Sequence, residues 1–445
     1  MIEKGYLHTS RRYDLAKSLE LRISQLAFIT FICIPVLLYV NIGQIPIFTG
    51  YILISFLFPS TLLFLSLNNN GNQKAKITPL IPILLVFTLP GLLLNKPISM
   101  SFTLARYLHL ANFFMFFTVV RYYMKNWNIN NVITKMMAVS LVSPLISFIQ
   151  SVSFNHLGTY LVINWFRDNA KLLYGANAAE YFKDGGYYSW LGSTSFLKAP
   201  GIYTTPAENA FYSLMILCIA TATLLERKGE QKLNPDFLLL VAITHTGNII
   251  ISATRSVWLA TILSLLFIII LRKRLFLDKN TLLLSLSSMF ALLIGIAIIG
   301  IDNIYIFVQK LLSGQDSSTI GRFSSLIDGI NLFFNHPFFG VGLGNADFMI
   351  GGNIHSMAVT MLAELGIFGA IYLTAFFAIM FLSGLNLISN KNDRQYSAIG
   401  LAFCGIVLGM FLNSLLFANN FFHPKVALPL WGLHALVIGL SNDKR

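Results

Sequence analysis

The sequence predicts an all-α polytopic membrane protein with about twelve transmembrane helices, and two properties of its composition lead to this fold class. Apolar residues make up 56% of the 445 residues and charged residues only 11%, and the mean hydropathy is +0.70. A soluble domain carries roughly a quarter of its residues as charged side chains. Because this chain has less than half of that share, lipid must cover most of its surface.

Individual spans are identified from runs of about 20 predominantly apolar residues, the length that crosses a bilayer core. The runs lie at 24–42, 45–67, 77–94, 102–121, 132–152, 206–225, 236–252, 256–271, 281–300, 356–388, 396–418 and 425–440. The first run follows a polar segment with several basic residues, and no small-residue cleavage pattern comes after it. We therefore expect it to stay as an anchor rather than to be removed as a signal peptide.

The basic residues predict the orientation, because Lys and Arg accumulate on the cytoplasmic side of a membrane. With twelve spans and both termini in the cytoplasm, 21 of the 31 Lys and Arg residues lie on that side. The net charge of +13 is thus assigned to topology and lipid headgroups, and no nucleic-acid partner is expected. Residues 1–445 form a single integral membrane domain, with two long outer loops at 153–205 and 302–355.

The chemistry is expected in those two loops and in the helix ends beside them, because every predicted inner loop is short. The first loop contains an aromatic, glycine-rich stretch at 181–192. Aromatic faces of this kind stack on sugars, but they are also typical of membrane interfaces, so both interpretations stay open. No metal-ligand spacing and no glycine-rich phosphate loop is found in the sequence, so neither a metal nor another cofactor is predicted. The three cysteines lie in apolar stretches, which indicates no disulfide framework.

Three basic residues on the outer side are the candidate catalytic residues. Arg255 lies at the turn between the seventh and eighth spans, Arg322 lies in the second outer loop, and His355 lies where the tenth span begins. An arginine at a helix end can simply extend to the interface, and a lone histidine can be a helix cap. Together on one side of the membrane, the three residues favour an anionic substrate, because guanidinium groups match phosphate oxygens.

Other polar residues are candidates for the lining of a cavity. Arg106 and His109 lie on one face of the fourth span, His245 lies in the seventh span, and Glu364 follows His355 on the tenth. Ionisable groups at membrane depth usually face a cavity or each other. We expect either a cavity lining or interhelical bonds from these residues.

The second outer loop carries a distinctive motif, Asn-His-Pro-Phe-Phe-Gly-Val-Gly-Leu-Gly-Asn at 335–345, here called the HP block. This block resembles the His-Pro-x-x-Gly-x-Gly-x-Gly-Asn motif of the O-antigen ligase and polymerase superfamily. As in that superfamily, a Gly-Arg pair ending at Arg322 precedes it, and His355 and a Leu-x-Glu-x-Gly-x-x-Gly helix at 362–369 follow it. The segments at 199–214 and 251–260 are similar to two further superfamily motifs. The resemblance covers about 199–370.

Two departures from the superfamily pattern concern the acceptor. Members commonly have Asn after the late histidine, where this chain has Ser356, and the segment near 206 reads Pro-Ala-Glu-Asn instead of Pro-Asn. Neither departure changes a charged position of the proposed site.

The resemblance implies inverting, metal-independent glycosyl transfer on the periplasmic face of a bacterial inner membrane. The donor partner would be an oligosaccharide on undecaprenyl pyrophosphate, held in the lipid bilayer. Arg255 and Arg322 would match the arginines that hold the pyrophosphate, and His355 would match the histidine that activates the acceptor hydroxyl. His336 of the HP block joins Arg106, His245 and Glu364 as a candidate for the cavity lining.

Two enzymes of this superfamily fit the sequence. An O-antigen polymerase joins lipid-linked repeat units, and an O-antigen ligase transfers the finished glycan to lipid A–core. The Phe-, Ile-, Asn- and Lys-rich composition and the divergence outside the motifs favour the polymerase, with a regulator of chain length as a candidate partner. A polysaccharide transporter or flippase is the alternative from another class, but such proteins usually carry paired repeats and no repeat is found here.

Overall fold

A computed structural model describes residues 2–33, 39–42, 45–48, 97–174, 196–226, 234–272, 317–389, 394–416 and 424–442, with runs of one to three residues in 54–61, 88–95 and 299–313. The helices that build the main bundle are α1 (Ile2–Cys33), α2 (Met100–Tyr123), α3 (Ile129–Ser140), α4 (Val142–Asn155), α5 (Leu161–Asp168), α6 (Ala170–Tyr174), α7 (Pro206–Glu226), α8 (Pro235–Ile251) and α9 (Arg255–Leu271). The second half adds α10 (Ser317–Asn335), α11 (Ala346–Met349), α12 (Met357–Leu365), α13 (Ile367–Ile388), α14 (Arg394–Leu416) and α15 (Pro424–Asn442).

The α-helical membrane character of the chain is confirmed. Among the described residues, five helical segments are long and apolar enough to cross a bilayer, at Thr103–Asn126, Ile129–Asn155, Pro206–Glu226, Ile367–Ile388 and Arg394–Leu415. The shorter apolar helices α8, α9 and α15 pack among them. The total of twelve spans and the cytoplasmic termini stay predictions. The predicted spans at 77–94 and 281–300, and much of the first loop, lie outside the described residues except for a few positions.

The prediction of two spans over 24–42 and 45–67 was wrong at their junction. Helix α1 ends at Cys33, and the chain then forms an antiparallel hairpin of β1 (Tyr39–Ile42) and β2 (Ile45–Phe48). Pro35 disfavours helical continuation, because proline lacks a backbone N–H and restricts the residue before it. Both strands are rich in β-branched residues, which favour a pleated surface. Among the described residues, this hairpin is where the structure departs from the predicted all-α fold.

The predicted span at 356–388 is divided in the structure, whereas the one at 132–152 has only an irregular turn. Helices α3 and α4 meet at Leu141 within the single helical segment Ile129–Asn155; Pro144, in the first turn of α4, lacks the N–H that would continue the helical ladder. The span at 356–388 is divided at Gly366, which has φ 63° and ψ −145°. This backbone conformation is open essentially to glycine alone, so α12 and α13 are two helices with a fixed break between them.

Glycine contacts give the relative directions of the bundle helices. On α14, Gly405 lies against Ile268 and Gly409 against Ser264 of α9, so these two helices are antiparallel. On α15, Gly432 lies against Phe116 of α2, and Gly439 lies against Met124, just after the end of α2. Because both residue numbers increase in the same direction, α15 and α2 are parallel. Small residues let helix backbones approach closely, which is how transmembrane helices commonly associate.

The helix directions bring the starts of α2, α7, α9 and α15 to one end of the bundle, together with the ends of α8 and α14. The HP block packs at this end, where Thr103 Oγ1 of α2 donates to the Leu343 carbonyl at 3.3 Å. We call it the HP-block end. At the opposite end, Arg272 Nε lies 2.8 Å from Glu226 Oε1.

Candidate active site at the HP-block end

The HP block folds as a series of tight turns that only glycine permits. Gly340, Gly342 and Gly344 all have positive φ, at 63°, 94° and 87°. At Gly340 an added Cβ would collide with the backbone of Glu364. The regular spacing of glycine in the motif therefore follows from the backbone conformation and from close contact with α12.

The HP block also satisfies the carbonyl groups at the end of α12. The Val341 N–H donates to the Ala363 carbonyl at 2.8 Å, and the Gly342 N–H donates to the Glu364 carbonyl at 2.9 Å. In return, the Ile367 N–H donates to the Pro337 carbonyl at 2.8 Å. Because the last carbonyls of a helix lack intrahelical donors, these bonds hold the helix that follows His355 against the motif that precedes it.

A buried ion pair joins this assembly to α2. Arg106 Nη1 lies 2.8 Å from Glu364 Oε1 and 2.6 Å from Glu364 Oε2. Arg106 is 5% exposed and Glu364 is fully buried. The Arg106 Nη2 atom lies 3.4 Å from Asp347 Oδ2 on α11. The two predicted lining residues therefore bond to each other between helices, and a second acid joins them.

His355 lies half-buried directly after the loop that follows α11. Its backbone N–H donates to Ser325 Oγ at 3.4 Å, and the same Ser325 hydroxyl donates to the Arg322 carbonyl at 3.0 Å. Burial is the main cause that lowers the pKa of His355 below its usual value, and the Arg322 charge lowers it further, while Asp347 acts in the opposite direction. At neutral pH the imidazole is therefore uncharged and can accept a proton.

The residue after His355 fixes the start of α12. Ser356 is the N-cap, and its Oγ accepts from the Val359 N–H at 3.4 Å. The same hydroxyl donates to the Ser414 carbonyl at the end of α14, also at 3.4 Å. Serine thus fills, as a helix cap, the position where the superfamily commonly has asparagine.

Arg255 approaches the same end of the bundle from a different helix. It is the first residue of α9 and is half-buried. It follows a turn at Ala253, which has φ 47°. Among the described residues, Ala253 is the one residue other than glycine with a positive φ. Because α9 runs antiparallel to α14, the start of α9 lies at the level where α14 ends near Ser414. Arg255, Arg322 and His355 therefore share one end of the bundle.

The comparison with known families bears on this same part of the chain. Residues 238–374 match the family model described as O-antigen ligase. Residues 238–374, about a third of the chain, are therefore similar to the O-antigen ligase family. The match contains Arg255, Arg322, the HP block, His355 and Glu364, and it confirms the resemblance to the O-antigen ligase and polymerase superfamily. No curated protein matches the chain significantly.

Within the matched residues 238–374, His245 bonds to neighbouring helices. Its Nε2 lies 3.0 Å from Ser140 Oγ of α3, and its Nδ1 lies 3.0 Å from Ser213 Oγ of α7. The ring is fully buried. His245 was a candidate either for a cavity lining or for interhelical bonds, and its contacts with Ser140 and Ser213 are interhelical bonds.

Beside His245 lies a buried polar cluster that the sequence interpretation did not identify. Its centre is Asn209 of α7, which exchanges amide hydrogen bonds with Asn248 of α8 at 3.0 and 3.1 Å. Asn209 also accepts from Ser143 Oγ at 2.8 Å and donates to Ser147 Oγ at 2.8 Å. The signal was present on α4, where Ser143, Ser147 and Gln150 recur at helical spacing.

His336 differs from the other candidates for the lining, because its side chain is exposed. Its backbone N–H donates to the Leu332 carbonyl at 3.0 Å, and its carbonyl accepts from the Gly340 N–H at 3.0 Å. Its backbone thus closes the turn between α10 and the HP block.

The matched residues also contain a contact residue that the sequence patterns did not reveal, Asp347. It follows the HP block by two positions and contacts Arg106. In the described part of the chain, no three His, Cys, Asp or Glu residues form a group that could hold a metal ion.

Proposed function

We propose that the protein is a glycosyltransferase of the periplasmic face of the bacterial inner membrane, which takes its glycan from undecaprenyl pyrophosphate. The observation that carries the proposal is the placement of an uncharged His355 beside Arg322, at the bundle end where Arg255 begins α9. A group that accepts a proton and two groups that bind anions suit transfer from a pyrophosphate donor, because the acceptor hydroxyl loses a proton and the leaving group gains negative charge.

In the proposed reaction, the acceptor hydroxyl oxygen attacks the anomeric carbon of the donor sugar from the face opposite the pyrophosphate. His355 accepts the hydroxyl proton as the new C–O bond forms. The bond between the anomeric carbon and the pyrophosphate oxygen breaks, and undecaprenyl pyrophosphate leaves with the electron pair. This direct displacement inverts the anomeric configuration.

Arg255 and Arg322 would bind the pyrophosphate and stabilise the charge that it gains in the transition state. Fixed guanidinium groups in a site with little water are worth far more than in solution, and loss of one such donor costs about 100- to 1000-fold in rate. Two arginines can therefore supply the charge stabilisation that a metal provides in other enzymes of pyrophosphate chemistry. The lipid tail of the donor would lie along the apolar helices of the bundle.

We favour the polymerase activity, in which a lipid-linked oligosaccharide repeat unit or chain is the acceptor, and a regulator of chain length would be a partner. The composition and the divergence outside the motifs support it. The second candidate is the ligase activity with lipid A–core as the acceptor, which the description of the matched family favours.

A complementation experiment tests the proposal. A strain that lacks this protein is complemented with wild type, Arg255→Ala, Arg322→Ala or His355→Ala, and its surface polysaccharide is separated on a gel. Arg167→Ala is the matched control, because the Arg167 side chain on α5 is partly exposed and pairs with the adjacent Asp168 at 2.9 Å.

The gel also distinguishes the two activities. Core lipid that carries a single repeat unit in the deletion strain indicates a polymerase, whereas bare core with long chains left on the lipid carrier indicates a ligase. The three site variants should reach the membrane but fail to restore the ladder, and the control should restore it. Full restoration by all three site variants would show that the proposed site is wrong.

A further inference from the structure

The loop that carries His355 is attached to the rest of the protein by one side chain in particular. Asp347 Oδ1 accepts a hydrogen bond from the Ile354 N–H at 3.1 Å, one residue before His355. The Asp347 carbonyl accepts from the Gly352 N–H at 3.0 Å. The side chain is 11% exposed, so this loop folds back over its own acidic residue.

The second oxygen of the same carboxylate points to the buried ion pair. Asp347 Oδ2 lies 3.4 Å from Arg106 Nη2, and Arg106 is in turn held by Glu364. Arg106 belongs to α2 and Glu364 to α12, and both are buried. One carboxylate thus connects the loop between α11 and α12, in which Gly351 has φ 67°, to Arg106 of α2 and, through Arg106, to Glu364 of α12.

We propose that Asp347, held by Arg106, is a positioning residue that sets the location of the His355 imidazole. This inference rests on the proposed function of His355 as the group that accepts the acceptor proton. The loop would otherwise have two glycines, Gly351 and Gly352, at which an added Cβ meets nothing within 4 Å. Without the Asp347 side chain, the loop keeps the backbone bonds from Gly351 to Phe348 and from Gly352 to residue 347, but the Ile354 N–H loses the acceptor that holds it one residue before His355.

The same carboxylate gives the proposal an electrostatic readout. Among the described residues, the charged groups that act on His355 are Arg322 from α10 and Asp347 from α11, and behind Asp347 lie Arg106 and Glu364. Asp347 raises the pKa of His355, while Arg322 lowers it. Removal of the Asp347 charge should therefore lower that pKa and move the acid limb of the rate profile to lower pH.

The test uses two substitutions of Asp347 that remove different properties of its carboxylate. Asp347→Asn keeps an oxygen that can accept from the Ile354 N–H but removes the charge, whereas Asp347→Ala removes both. Asp328→Ala is the matched control, since Asp328 is an exposed acid on α10. Full-length protein in proteoliposomes is assayed for transfer from a polyprenyl-pyrophosphate-linked oligosaccharide between pH 5 and pH 8, and its thermal stability is measured in parallel.

We expect Asp347→Ala to lower the maximal rate by about 10- to 100-fold, because a displacement of about 1 Å in a catalytic group has an effect of this size. Asp347→Asn should keep more of the rate and shift the acid limb to lower pH, and Asp328→Ala should match wild type. If both Asp347 variants keep the wild-type rate and pH profile, the inference is overturned. The inference is also overturned if the Asp347 variants lose thermal stability while the protein that stays folded keeps the wild-type rate and pH profile.

Failure of the inference can be distinguished from failure of the proposed function. If wild type transfers sugar and His355→Ala does not, the function stands, and the Asp347 variants then decide the inference alone. If wild type does not transfer sugar from the polyprenyl-pyrophosphate donor, the proposed function fails first and the positioning role fails with it.

Discussion

The ion pair between Arg106 and Glu364 allows a quantitative prediction. Both oxygens of Glu364 lie within 2.8 Å of Arg106 Nη1, and the two side chains are 5% and 0% exposed. Removal of one partner leaves the other charge buried without its counter-ion, which costs about 3–5 kcal/mol in folded proteins. We expect Arg106→Met to lower the free energy of unfolding by this amount, and Glu364→Met to lie near the lower end, about 3 kcal/mol, because Asp347 stays 3.4 Å from Arg106.

The double variant should be much less harmful than either single one. A pair of apolar residues of similar volume often replaces a buried ion pair at little cost. The remaining loss comes from Asp347, whose contact with Arg106 is longer, at 3.4 Å, and whose partial exposure lets water solvate it. We expect the double variant to lie within about 2 kcal/mol of wild type, which gives a coupling energy of at least about 4 kcal/mol.

The measurement is a double-mutant cycle on purified protein in mixed micelles. Unfolding by increasing SDS is followed by far-ultraviolet circular dichroism, which reports the loss of helix. Additive effects of the two substitutions, or single variants within about 1 kcal/mol of wild type, would show that the pair does not hold α2 against α12.

Three further predictions concern the break, the base and the polar cluster. Gly366→Ala should abolish the folded protein in size-exclusion profiles, because a Cβ at φ 63° would collide with the Phe338 carbonyl. Gly352→Ala is the control and should behave as wild type, since nothing lies within 4 Å of its new Cβ. Equal profiles for the two variants would contradict the break between α12 and α13. Because its pKa is lowered below the usual value of about 6.5, His355 should be mostly deprotonated at neutral pH, and the transfer rate should fall to half its maximum only below about pH 6.5. A half-maximal point above about pH 7 would contradict an uncharged base. Asn209→Leu should lower stability by about 2–4 kcal/mol, since it leaves several buried polar groups without partners, and an unchanged melting temperature would refute that role.

The HP block shows what the sequence could predict. Its glycine spacing and the order of Arg322, the block and His355 identified the site region without coordinates, because these features are local in the chain. The reason for the glycines became visible only in the structure, where Gly340 lies against the backbone of Glu364.

Long-range contacts explain most of what could not be predicted. Arg106 and Glu364 were both identified as candidates, but 258 positions separate them, and no pattern in a single sequence pairs residues so far apart. Asp347 was missed for the same reason, since its contact with Arg106 spans 241 positions.

The errors in the span boundaries have a different cause. The segment at 39–48 is apolar, and an apolar run alone does not distinguish a helix from a strand. Its β-branched residues were the available signal. At Gly366 the hydrophobic run continues through the break, so hydropathy alone predicts one helix where backbone geometry requires two.

The central claim is that Arg255, Arg322 and His355 transfer a glycan from a polyprenyl pyrophosphate donor. The most direct test reconstitutes the purified protein in liposomes with an undecaprenyl-pyrophosphate-linked repeat unit and measures released undecaprenyl pyrophosphate together with the elongated glycan, with a chelator present. The account predicts that the two products appear in equal amounts with wild type, and that each of the three alanine variants is slower by at least about 100-fold. Equal rates for wild type and the three variants, or no release by wild type with repeat-unit and lipid A–core acceptors alike, would contradict it.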